Sequence, residues 1–79
     1  MKTKYVIVDG SVKVFSSALT HSDQVPYGKK ADAAGFVSFF VNKENEVDCQ
    51  VYGDSFSIGI GNRGQRDENL IRSQILREY

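Results

Sequence analysis

The chain has one cysteine, Cys49, one histidine, His21, one proline, Pro26, and no tryptophan. A single cysteine excludes an internal disulfide and a Cys-x-x-Cys redox pair. Cys49 and His21 together fall short of the four ligands of a structural zinc site. No metal or cofactor is therefore expected. No apolar run approaches the about 18 residues that a membrane-spanning helix needs. The opening MKTKYVIVDG has too short an apolar run for a secretory signal and meets turn residues at once. These absences predict a soluble, cytoplasmic protein. An excess of charge of one sign is also missing, since ten basic residues balance ten acidic ones. Proteins that live on nucleic acid or anionic membrane usually show a basic excess, so neither partner is favoured. A near-neutral surface resists self-association only weakly, which admits a homo-oligomer.

What is present reads as one small globular domain spanning residues 1–79, with 41% hydrophobic and 25% charged residues. A domain of this size buries roughly 60% of the surface its unfolded chain exposes, so its margin of stability is thin. KYVIV-DG-SVKVF is a β-hairpin whose Asp9-Gly10 dipeptide suits a type I′ turn. That turn sets Ile7 opposite Val12 and Tyr5 opposite Val14 on a core face. Lys4, Val6, Val8, Lys13 and Phe15 make up a mixed second face. Ser22 and Asp23 favour a helix start, and Pro26 limits it to one or two turns between Thr20 and Tyr27. GFVSFFV, residues 35–41, is apolar on both faces, as a central strand covered on both sides would be. VDCQVYG alternates, with Val47, Cys49 and Val51 on one face, which makes Cys49 a small buried hydrophobe. DSFSIGIG continues that strand past Gly53 or forms another short one. In RDENLIRSQILREY, Leu70, Ile71, Ile75 and Leu76 form the apolar face of a helix. Asp67 and Glu68 suit its positive end and Arg77 its negative end. The order β-β-α-β-β-α predicts an α+β fold: a small, mainly antiparallel sheet with helices packed on one face.

GIGNRG, from Gly59 to Gly64, matches G-x-G-x-x-G. A dinucleotide fold needs a returning strand after the helix, and too little chain follows Gly64 for one. A Walker loop is excluded because no Gly-Lys-Ser/Thr occurs. A strand, a glycine-rich turn and a helix start in series still leave backbone N–H groups beside a positive dipole end. Ser55, Ser57, Gly59, Gly61, Asn62, Arg63, Gly64 and Arg66 form the candidate anion-binding set. The competing reading is purely structural: glycines that permit a turn, with arginines that are solvated or face a partner's acidic patch. His21 lies in THSD, where a helix would splay adjacent side chains about 100° apart, so no catalytic triad follows. Thr20, Ser22 or Asp23 as a helix cap explains the cluster. No carboxylate pair stands out for acid–base work. Phe36, Phe39, Phe40, Tyr5 and Tyr52 lack the basic-aromatic signature of an RNA-binding sheet and read as buried strand aromatics.

KYVIVDG and VYGDSFSIGIGNRGQRDENLIRSQI resemble segments of the phosphohistidine phosphatase, or Janus/Ocnus, family. The resemblance covers about half of the chain. It implies a loop that holds phosphate ahead of a helix, with Ser55 and the backbone from Ser57 to Gly59 facing the anion. Where that family places its catalytic histidine, before a central strand, this chain has Ala33, Ala34 and Gly35, and His21 does not match the position. The string AGFVSFFV…VYGDSFSIG is also similar to small uncharacterised bacterial and prophage-encoded proteins, which implies a bacterial or phage origin. Two functions are expected. The leading one is a non-enzymatic interaction module that binds another protein or itself. The alternative is a phosphate- or anion-ligand protein, a degenerate phosphatase-like chain using Gly53 to Arg66.

Overall fold

In the computed structural model, which describes residues 2–77, Asp9 and Gly10 both take positive φ, 52° and 77°. This is the type I′ geometry expected of the dipeptide. It joins strand β1 (Thr3–Val8) to β2 (Ser11–Ser16) with Ile7 opposite Val12 and Tyr5 opposite Val14, as the sequence predicts. Strands β3 (Ala33–Val41) and β4 (Val47–Tyr52) complete an antiparallel sheet of order β2-β1-β3-β4. Their turn is tied by Asn42, whose side-chain oxygen accepts from the backbone N–H of Glu44 (3.0 Å) and Glu46 (2.9 Å). Gly35 is required where the chain leaves β4, because a Cβ there would lie 2.9 Å from the Tyr52 carbonyl oxygen.

One face of the sheet carries Tyr5, Ile7, Ala33, Val37, Cys49 and Val51, all buried. Helix α1 (Gln65–Ile71), extended by a wider, π-type winding over Arg72–Leu76, packs on that face through Leu70, Ile71, Ile75 and Leu76. Cys49 is buried, as its alternation predicts, and burial raises its thiol pKa. The opposite face is closed by irregular chain. Val6, Phe15 and Ala34 lie beneath Val8, Val25, Ala31, Ile58 and Ile60. The last two flank or belong to a small two-stranded ladder of β5 (Asp54–Ser55) and β6 (Ile60–Gly61).

The fold is α+β with antiparallel strands, but two expectations change. The helix expected between Thr20 and Tyr27 is a single 3-10 turn, Ser22–Gln24. Thr20 Oγ1 accepts from the Asp23 N–H at 3.4 Å to close it. The turn lies on the face opposite α1, so the helical elements do not share one face. Only Val25 in this stretch packs into a core cluster, and one apolar anchor cannot hold a longer helix down. Second, β3 is covered on both sides only in its first half. β1 pairs with it from Ala33 to Val37, and the remainder, Ser38 to Val41, has β4 as its neighbour in the described sheet. The outer ends of β3 and β4 therefore form an overhanging arm, with Phe39, Phe40, Val41 and Val47 exposed.

The helix also guards both sheet edges. Glu68 Oε2 accepts from the Val51 N–H of β4 at 2.9 Å. Gln74 accepts from the Val12 N–H of β2 at 2.8 Å and donates to the Gly10 carbonyl at 2.7 Å.

Candidate functional site

The chain from Gly53 to Arg66 starts on the loop face and ends on the helix face, and this crossing separates the predicted anion-binding residues. Ser55 is buried. Its hydroxyl accepts from the Ile58 N–H at 3.4 Å and lies 3.4 Å from Ser57 Oγ, closing the β5–β6 turn. Ser55, Gly59 and Gly61 line one cleft with Phe56. Asn62 then pins the crossing, donating to the Gly53 carbonyl at 2.9 Å and accepting from the Gly64 N–H at 2.9 Å. Arg63 and Arg66 line a different cleft of about 570 Å³, with Asn69, Leu70, Asp32 and Gly10. The serines and the arginines thus belong to separate recesses.

Arg63 is already engaged. Its Nε donates to Asp67 Oδ1 at 2.6 Å and its backbone N–H to Oδ2 at 2.7 Å. Tyr5 completes the set, its hydroxyl donating to Asp67 Oδ2 at 2.6 Å. Asp67 is fully buried, so its charge is held by three donors within the core. Burial, followed by the hydrogen bond to Asp67 and its charge, holds the Tyr5 phenol well above its ordinary range. Sequence reading placed Asp67 only as a helix-end acid. The missing signal was Tyr5 itself, because a core tyrosine must find a partner for its hydroxyl.

His21 lies on the loop face and is buried. Its ring sits edge-on between Phe15 (5.4 Å) and Phe36 (6.1 Å), and Nε2 lies 2.9 Å from the Gly35 carbonyl oxygen. Phe36 stacks on Tyr52 at 5.5 Å, and the ammonium groups of Lys2 and Lys4 stand 5.8 and 5.9 Å from its ring centre. With Lys4, Thr20, Phe56 and Ser57, His21 lines a cleft of about 220 Å³. No triad forms, since Ser22 and Asp23 bond to Thr20 and Ser57 rather than to the imidazole.

Among the described residues, no group of three or more His, Cys, Asp or Glu side chains could hold a metal ion. No helix among them is long and apolar enough to cross a membrane. No family model, curated protein or solved structure matches the chain, so the phosphatase-like resemblance rests on its quoted residues alone.

Proposed function

We propose that this chain is a small non-enzymatic interaction module that pairs with a second copy of itself through the overhanging β3–β4 arm. The supporting observation is the patch of Phe39, Val41 and Val47, 38%, 63% and 37% exposed, on one face of a two-stranded overhang. Val41 and Val47 are directly opposed across the strands, and Phe39 is two residues from Val41 on the same face. A contiguous apolar patch marks an association surface. The arm tip carries charges of both signs, Lys43 beside Glu44 and Glu46. With a net charge of zero, no long-range repulsion opposes this pairing.

The mass in solution tests this reading. Light scattering is expected to give twice the 8.8 kDa of one chain, and Val41→Lys is expected to give a folded single chain whose thermal midpoint no longer rises with protein concentration. Phe40→Lys, on the reverse face of the arm, is expected to stay paired. A single-chain mass for the unmodified protein at millimolar concentration would remove the proposal.

The Arg63–Arg66 cleft supports a second reading, that of an anion site. Arg63, Arg66 and Asn69 line one recess with Asp32. Because Arg63 Nε is held by Asp67, an anion there would rest chiefly on the Arg66 fork, which matches phosphate and carboxylate. Under this reading, phosphate titration shifts the Arg63, Arg66 and Asn69 amides saturably, and Arg66→Ala abolishes the shift. Equal shifts in the variant would dismiss the site.

A further inference from the structure

The 220 Å³ cleft beside His21 is built differently from the rest of the surface. A carbonyl oxygen only accepts, so the 2.9 Å contact with Gly35 fixes the His21 hydrogen on Nε2. In the tautomer with a single hydrogen on Nε2, Nδ1 is an acceptor. It has no partner among the described residues, whereas every fully buried side-chain nitrogen and oxygen among them is paired. Nδ1 therefore belongs to the 3% of His21 that reaches solvent, at a residue that lines this cleft.

Residues with donor groups line the same cleft. Thr20 Oγ1 and Ser57 Oγ each accept a backbone N–H, from Asp23 and Ser22, and each also lies near a second hydroxyl, Ser22 Oγ at 3.3 Å and Ser55 Oγ at 3.4 Å. Where Ser22 and Ser55 are the donors of those pairs, Thr20 and Ser57 have a hydrogen to give. Lys4 spends one N–H on the Leu19 carbonyl at 2.8 Å and retains two. Phe36 and the fully exposed Phe56 supply aromatic walls. The volume lies below the roughly 300 Å³ at which drug-sized sites begin, so it suits a single ring. Asp54 also lines the cleft, and its carboxylate disfavours a phosphorylated ligand.

We infer that the cleft between the 3-10 turn and the β5–β6 turn binds a neutral planar heterocycle with a C=O/N–H/C=O edge, the imide face of a free uracil-type base. The ligand N–H meets His21 Nδ1, its carbonyls meet Thr20, Ser57 or Lys4, and its ring lies against Phe56. This site is independent of the arm patch.

The test is a titration of the protein with uracil and uridine, followed by amide and imidazole ¹⁵N resonances. Saturable shifts confined to Thr20, His21, Phe36 and Phe56–Ser57, including the Nδ1 resonance, are expected. N3-methyluridine, which lacks the imide hydrogen, is expected to bind at least about tenfold more weakly. Phe56→Ala, at a fully exposed side chain, is expected to weaken uracil binding about tenfold while leaving the fold intact. His21→Ala risks the packing between Phe15 and Phe36, so the methylated ligand carries the test of Nδ1. No saturable shift with uracil or uridine, or equal binding of N3-methyluridine, overturns the inference. Tighter binding of oligouridylate than of uridine overturns the assignment to a free base.

Discussion

The two faces of the central sheet are buried by different means. On one, a continuous helix brings Leu70, Ile71, Ile75 and Leu76 onto Tyr5, Ile7 and Val37, and the polar atoms beneath it are Asp67 and its three donors. On the other, the 3-10 turn and the β5–β6 ladder close over Val6, Phe15 and Ala34 with individual side chains. A helix seals a sheet in one regular row, whereas irregular chain covers it in pieces and leaves recesses between them. The His21 cleft is such a recess, with hydroxyls, an imidazole and aromatic rings around it. Loops carry recognition when a rigid layer holds them in place, and here the helix face is that layer.

Removing the buried charge breaks the comparison most severely. Asp67→Ala leaves the Tyr5 hydroxyl and two Arg63 donors unpaired inside the helix face. It is expected to lower unfolding free energy by about 3–5 kcal/mol in urea titrations. Tyr5→Phe spares both Arg63 bonds and is expected to cost about 1 kcal/mol at neutral pH. This variant also has a pH signature. The Tyr5 phenol is raised above its ordinary 10.0 in the folded chain, so above that pH the unfolded phenol ionises while the folded one stays protonated. The stability from Tyr5 is therefore complete below pH 10 and is lost as pH rises toward the folded value. The alkaline fall in urea midpoint is expected to be shallower in Tyr5→Phe. The smallest effect is expected on the loop face. Phe56→Ala, at a fully exposed side chain of the β5–β6 turn, is expected to shift stability by no more than about 0.5 kcal/mol. Hydrogen exchange in residues 17–32 is nonetheless expected to be faster than in β1 and β3, because local opening there leaves the helix face intact. Equal protection of both coverings would erase the distinction between them.

The first hairpin was fully legible because Asp9-Gly10 fixes a turn and the turn fixes a register. Cys49 was legible from strand alternation, and the final helix from its apolar spacing. The overhang was not, because FVSFFV is apolar throughout and its coverage depends on how far β1 runs alongside it. That length is a property of the neighbouring strand. The second face was equally obscure, since burying Val6, Phe15 and Ala34 with isolated anchors such as Val25, Ile58 and Ile60 leaves no periodicity to read. For the anion-binding set, glycine spacing marked a sharp turn correctly but not its direction. Ser55 and Arg63 are close in sequence, yet Gly61 and Asn62 lie between them where the chain passes from one face to the other.

Glu68 and Gln74 sit about two turns apart on one helical stretch, yet they terminate opposite borders of the sheet. Every strand among the described residues precedes residue 65, so one stretch of chain, the last in the order, bounds them all. Wherever that stretch detaches, the sheet presents two open borders, each able to recruit a foreign strand. The element that completes the core is thus also the one that withholds a template for polymerisation.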